Sequence, residues 1–259
     1  PGPGVVPRAG ARPSAAPRAG AGPRARAARD AALVHAVLSG TRLAGSPGKA
    51  MRIGVPDALL GRSPPDRDMA ARFDEAIAAL RRAGHEVRRV VLPSAELFNA
   101  CSFVVARAEA HARWGEALRG AWSSVGAIAR RSLAIGAFLD PGDFARAARL
   151  RVVLRAGFDA LMDEVDLLCL PTMPGEAGPI DPDDAVTRAD TAPYTRPFSL
   201  VGAPAISMPC GAGGHGLPLG LQFVGPRGGD AALLAFACAL EDDPAWPWRA
   251  EIPEAFAWN

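Results

Sequence analysis

From residue 30 onward the chain switches repeatedly between two hydrophobic periods, one near 3.6 and one of short apolar runs, and that alternation predicts helices interleaved with strands. Asp30 is placed to cap a first helix in which Leu33, Val34, Val37 and Leu38 form one apolar stripe, with Gly40 at its end. "MRIGVP" reads as a strand closed by Pro56, and 66–83 as a helix with Met69, Phe73, Ile77 and Leu80 on one face. "EVRRVVLP" is a second strand, so 51–93 is expected to form a βαβ unit.

The next stretch is helical: Ser94–Leu118, a shorter helix around 126–135, and Asp143–Asp163, where Phe144, Ala147, Leu150, Leu154, Phe158 and Leu161 keep helical spacing. "VDLLCLP" at 165–171 is a continuous apolar run suited to a fully buried strand, and 172–190 is a long loop of Pro, Gly and Asp. Two β-rich runs, Ala205–Pro209 and Leu219–Val224, flank the glycines 211, 213, 214 and 216 and read as strand, tight turn, strand. A helix from about Asp230 to Leu240 follows, and the tail with Trp246, Trp248 and Trp258 is expected to lie across the surface. Strands alternating with helices place the chain in the α/β class, as a mixed sheet flanked by helices.

Composition separates the first 28 residues from the rest. They are nearly all Pro, Gly, Ala and Arg, with "PRAGA" at 7–11 and again at 17–21, a mixture expected to stay disordered. Residues 29–259 form the expected α/β domain. The start at Pro1 rather than Met points to a chain cut from something longer.

The remaining bulk properties exclude more than they assign. With 259 residues and 49% hydrophobic content a sizeable core is available, and the net charge of +2 is spread as Arg interleaved with acids, Lys49 being the only lysine. No basic patch argues for nucleic acid. The apolar run "AALLAFACAL" is about half of the ~20 residues needed to span a membrane. Cys101, Cys169, Cys210 and Cys238 are far apart in apolar sequence, which predicts buried thiols in a reducing cytoplasm rather than zinc ligands or disulfides. No metal or cofactor is expected.

Residue types that carry chemistry are scattered. His35, His85, His111 and His215 share no metal-ligand spacing and read as surface or capping histidines. There is no GxSxG elbow and no phosphate loop. Ser123-Ser124 lies between helices, where serine caps, and Lys49 follows a turn as a solvated residue.

"YTRPFSLVGAPAISMPCG" followed by "GLPLGLQFVGP" resembles the C-terminal part of the amidase signature family. That family carries Thr-x-Pro-x-Asn-Leu-x-Gly-x-Pro-Ala and then Gly-Leu-Pro-x-Gly-Leu-Gln. "GPRARAARDAALVHAVLSG" at 22–40 and "VDLLCLPTMPGEAGPI" at 165–180 are similar to further segments of it, so the resemblance covers roughly 22–259. It implies an amidase-like α/β fold, truncated in its N-terminal half, and hydrolysis or transfer of amide C–N bonds. The family uses a Ser nucleophile, a bridging Ser and a Lys base, set in a Gly-Gly-Ser-Ser-Gly-Gly run and an upstream Lys.

Neither Ser123-Ser124 nor Lys49 stands where those groups belong, so no catalytic residue is assigned. "GVVP" at 4–7 also resembles the family just upstream of the helix at 22–40, whereas residues 8–21 between the two segments are unlike it and read as a frame-disrupted or decayed stretch. By the resemblance, Thr195 lines the acyl pocket, with Tyr194 and Phe198 as walls, and Gln222 serves as a hydrogen-bond partner on its strand. Ser199 replaces the usual Asn. Ala192 replaces an Asp of the glutamine-using aminoacyl-tRNA amidotransferase subunits, which favours a general amidase. The expectation is therefore an amidase-type hydrolase of small amides, inactive as this chain alone, with an exposed sheet edge that invites self-association. The alternative is a non-catalytic binding or interaction module that keeps the C-terminal half.

Overall fold

Short apolar strands with helices between them must stack side by side, because each strand has two faces to cover and each helix has one stripe to bury. The computed structural model describes residues 1–7, 20–41, 50–178 and 193–249. In it β1 (Arg52–Pro56), α3 (Arg67–Arg82) and β2 (Glu86–Val90) form the expected βαβ unit, with β1 and β2 parallel in the register Ile53↔Val87. A short helix, α2 (Asp57–Arg62), lies between β1 and α3, where no helix is expected from the sequence. Asp66 caps α3 by accepting the Met69 N–H at 2.8 Å. Gly54 leaves room for the side chains of both neighbouring strands: a Cβ there would lie 2.9 Å from Val90 and 3.0 Å from Leu168.

Among the described residues the sheet has five strands, in the order β2-β1-β3-β5-β4. β3 (Leu167–Pro171) is parallel to β1, and β5 (Pro218–Val224) and β4 (Ala205–Ala212) add as an antiparallel hairpin. The pattern is mixed, as the sequence predicts. All five residues of β3 are buried, which explains its unbroken apolar run. β4 is outermost and its pairing is irregular between Pro209 and Ala212.

Two cores result, one on each face. Ile53, Leu167, Cys169, Met208, Leu221 and Phe223 face α3 and α8 (Asp230–Asp242). Leu168, Leu170 and Val224 face α4 (Ala95–Arg119), α6 (Pro141–Glu164) and α7 (Arg196–Val201). A shorter helix, α5 (Ala127–Gly136), packs on α4, and Asp140 and Asp143 form a reciprocal capping box at the start of α6. Among the described residues no helix is long and apolar enough to cross a membrane.

Four expectations need correction. α1 spans Ala28–Ser39, so Asp30 sits in its first turn and Ala27 is the cap. Its buried face is Ala28, Ala32 and His35, whereas Leu33 and Val37 are 65% and 76% exposed. Small side chains let α1 approach α8 closely, and the ends are pinned where the carboxylate of Glu241 accepts the Ala28 N–H at 2.9 Å. His35 is accordingly a core histidine, not a surface one. Trp246 is also fully buried, against Phe223 and Trp248, so the tail enters the core instead of lying across it. Residues 1–7 are placed with Gly2 and Val6 buried. Lys49, Ala192, Trp258, residues 8–19 with most of both "PRAGA" copies, and loop residues 179–190 lie outside the described residues.

Candidate functional site

β3 ends at Pro171, and the chain leaves the sheet through Thr172 at the carboxyl end of the parallel strands, the usual place for a ligand in such sheets. Thr172 stays attached by donating its N–H to the Gly220 carbonyl at 2.8 Å. Its hydroxyl lies 2.6 Å from the hydroxyl of Ser207, which belongs to β4, two strands away. The pair can meet because the intervening strand has glycine at that level: a Cβ on Gly220 would stand 2.7 Å from Ser207 Oγ and 3.1 Å from Thr172 Oγ1. The result is a short hydroxyl-lined strip floored by bare backbone. Each hydroxyl can donate and accept, and the pair retains unused capacity for both.

One register step further in, Gln222 lies between Leu170 and Ser207. It is buried, and its Nε2 donates to the Tyr194 carbonyl at 3.1 Å. The segment of interest is therefore tied to the central strand by a side chain. The other end of Tyr194 is tied as well, its phenol donating to the Ser63 carbonyl, and burial pushes its pKa up to about 12. Thr195, the next residue, is half-buried at the start of α7 and its carbonyl accepts the Ser199 N–H at 3.3 Å. Ser199 Oγ donates to that same carbonyl at 3.3 Å.

The three residues proposed from sequence thus take different positions. Tyr194 and Phe198 are buried, Phe198 packing edge-on to Phe158 with ring centroids 6.2 Å apart, and Thr195 alone of the three retains partial exposure. The sequence reading does not single out Thr172 and Ser207. They lie 35 positions apart, one just past the end of β3 and the other on β4, which is not its neighbour, and only the hairpin register and Gly220 bring them together.

A second loop borders the strip. Residues 172–178 are held to the start of α3 by the Asp66 N–H, donated to the Pro174 carbonyl at 2.8 Å. They are held to the β4–β5 turn by Glu176, whose carboxylate accepts from His215 N–H (3.1 Å), His215 Nδ1 (2.8 Å) and Leu217 N–H (2.9 Å). Burial disfavours that carboxylate, but the His215 ring and the two backbone donors outweigh it and hold its pKa below the ordinary value. Asp68 clamps the same turn by accepting the Gly214 N–H at 2.8 Å. Among the described residues no group of three or more His, Cys, Asp or Glu is arranged to hold a metal ion.

Comparison with known proteins gives a consistent picture. A family model described as Amidase matches residues 1–234. A glutamyl-tRNA(Gln) amidotransferase subunit of Thermus thermophilus is 36% identical over 222 residues, covering 75% of this chain and 46% of that protein. The corresponding subunit of Halobacterium salinarum is 32% identical, covering 74% of this chain and 51% of that one. The chain therefore spans about half the length of the curated relatives it matches. Among solved structures, a crystal structure of an amidase superposes with TM-score 0.84 at 30% identity, over 93% of this chain and 56% of that one. The corresponding glutamyl-tRNA(Gln) amidotransferase chain of Thermotoga maritima shares the fold, with 24% identity and TM-score 0.68 over 90% of this chain and 55% of that one.

Proposed function

The chain belongs to the amidase family, and on that premise we propose that it builds the substrate-facing wall of a site that cleaves or transfers the C–N bond of small amides. The observation that carries this reading is the hydroxyl pair Thr172–Ser207 over the bare floor of Gly220, beside the Thr195 segment that Gln222 fixes. A neutral amide presents one strong acceptor and two donors. Hydroxyls that both give and take hydrogen bonds match that demand without placing an unpaired charge against it.

In this reading these residues bind and orient, and the nucleophile, the base and the oxyanion donors come from outside them. The chain alone then does not turn over amides. The setting is the cytoplasm, in keeping with four free cysteines. A second reading, transfer of amide nitrogen to glutamyl-tRNA(Gln) as part of a multi-subunit assembly, is favoured by the names of the relatives and opposed by Ala192 in place of Asp.

The test is ammonia release from a panel of small aliphatic amides and free glutamine. The purified chain is assayed alone and after mixing with a polypeptide that carries the Gly-Gly-Ser-Ser-Gly-Gly run and Lys of an amidase. Turnover only in the mixture, blocked by a serine-directed fluorophosphonate and weakened by Thr172→Val, is expected. Inhibitable turnover by the chain alone would overturn the division of labour. A folded mixture with no turnover would favour a non-catalytic binding module, and a preference for glutamine would favour the second reading.

A further inference from the structure

β5 ends at Val224, level with Leu168 near the start of β3 and Ala205 at the start of β4, so the turn that follows lies at the opposite end of the sheet from Thr172. Beside that turn a cleft of about 590 Å³ opens between α6, the end of α7 and the first residues of the chain. Arg155 lines it from α6, and among the described residues its guanidinium has no hydrogen-bond partner. Nε is packed away from solvent, whereas the two Nη groups are not. A Cβ on Gly202, another wall residue, would stand 3.9 Å from Nη2, so the bare backbone there leaves the approach to the fork open. Three further charged side chains border the cleft. Arg227, in the turn, donates from Nε and Nη2 to the two oxygens of Asp159 at 2.8 and 2.6 Å, so these two charges cancel each other. Asp163 is exposed and lies eight residues beyond Arg155 on α6, roughly 12 Å along the helix axis. Arg155 is thus crowded by two cations and has no acid of its own: burial first, then Arg151 and Arg227, lower its pKa, and only Asp159 acts the other way.

A partly desolvated cation with unused N–H groups is costly until an acceptor meets it. The planar fork of a guanidinium matches the two oxygens of a carboxylate. A dianion such as phosphate brings more charge and more oxygens than one free fork satisfies, and Asp163 and Asp159 stand against the surplus. A cation is repelled by Arg155, and a neutral amide leaves its charge uncompensated. Pro3, Val5 and Pro226 add an apolar wall next to the fork. A single carboxylate on a short alkyl chain meets both features at once.

We propose that this cleft is a second binding site, separate from the hydroxyl strip, for a short aliphatic monocarboxylate. Its two oxygens accept from the two Nη groups of Arg155, and its alkyl chain lies on Pro3, Val5 and Pro226. Because Pro3 and Val5 belong to the first residues of the chain, occupancy ties that segment to α6. Hydrolysis of a small amide exchanges ammonia for the oxygen of water and leaves a ligand of this class, so on the amide-cleaving reading the site senses product. Binding itself requires no turnover and stands apart from that reading.

Sodium butyrate titrated into the whole chain at neutral pH tests this, read by thermal unfolding and by the NMR signal of the Arg155 Nε–H, which its burial shields from exchange. The signal is identified by its loss in Arg155→Lys. Sodium chloride, sodium phosphate and neutral butyramide serve as controls at matched ionic strength. A saturable Arg155 shift and a saturable rise in Tm with butyrate, absent with all three controls, are expected. Affinity should rise from acetate to butyrate by up to about fourfold per methylene. Arg155→Met, which keeps the apolar stem, should weaken binding at least about tenfold, and Arg155→Lys, which keeps the charge without the fork, should weaken it less. Butyrate acting no differently from chloride, or binding undiminished in Arg155→Met, would overturn the site. An equal Arg155 shift with phosphate or butyramide would overturn its assignment to carboxylates. The NMR arm on the unaltered chain decides even where Arg155→Met does not fold.

Discussion

Gln222 Nε2 donates to the backbone carbonyl of Tyr194 at 3.1 Å, joining the central antiparallel strand to the segment that carries Thr195. Replacing Gln222 with Leu leaves that carbonyl buried without a partner. The expected cost is about 1–3 kcal/mol of stability, read as a lower urea midpoint at unchanged slope. Hydrogen exchange should quicken at 194–196 before it does elsewhere, since the cut tether is local.

Gly220→Ala addresses the hydroxyl strip directly. The added methyl would lie 2.7 Å from Ser207 Oγ, so the Thr172–Ser207 hydrogen bond must open. A fall in amide binding by the completed enzyme is expected together with a stability loss of about 1–3 kcal/mol from overpacking. Ser207→Ala, which removes the hydroxyl without crowding, should reproduce the binding loss with a much smaller change in Tm.

Acid should release the loop at 172–178. Burial pulls the Glu176 carboxyl upward, but the His215 ring and the His215 and Leu217 N–H groups outweigh it and hold its pKa below the ordinary 4.5. The stability this supplies is complete above pH 4.5 and is lost as pH falls through the lower folded-state value. Limited proteolysis around 213–217 should therefore accelerate in that window, and Glu176→Gln should abolish the acid dependence while leaving the turn more open at neutral pH.

The opposite limb is set by Tyr194. Burial raises its pKa from 10.0 to about 12, so its contribution is intact below pH 10.0 and is lost as pH rises through about 12. Buried Cys210, likewise raised from 9.0 to about 12, acts in an overlapping range. Tyr194→Phe isolates the phenol: it should cost about 1 kcal/mol at neutral pH through the lost Ser63 bond. It should also flatten the alkaline decline of the unfolding midpoint relative to the parent.

The βαβ unit, the buried strand β3 and the β4–β5 hairpin can be read in advance because each is specified by neighbours in the chain: a capped amphipathic stripe, an unbroken apolar run, glycines at a turn. The packing of α1 cannot, and the reason is instructive. Its large aliphatic side chains form the conspicuous stripe, but contact with α8 is made by Ala28, Ala32 and His35, because close approach rewards small volume over hydrophobicity. The burial of Trp246 escapes the sequence because a Pro-rich tail has no period to read, and the ring it packs against, Phe223, belongs to β5. The functional strip depends on register, a property of strand pairs that no single segment encodes; Thr172 and Ser207 look like ordinary loop and strand polars until Gly220 is set between them.

The irregular outer strand also sets a length. Along β4 the ladder with β5 runs regularly from Ala205 to Pro209, but Pro209 offers no N–H, and Gly211 turns the backbone to φ 115 before pairing resumes at Ala212. A further strand laid alongside would find only four consecutive residues to match, about 13 Å of template. That is enough to align a short guest of defined sequence, and too little for indiscriminate stacking of one sheet on the next.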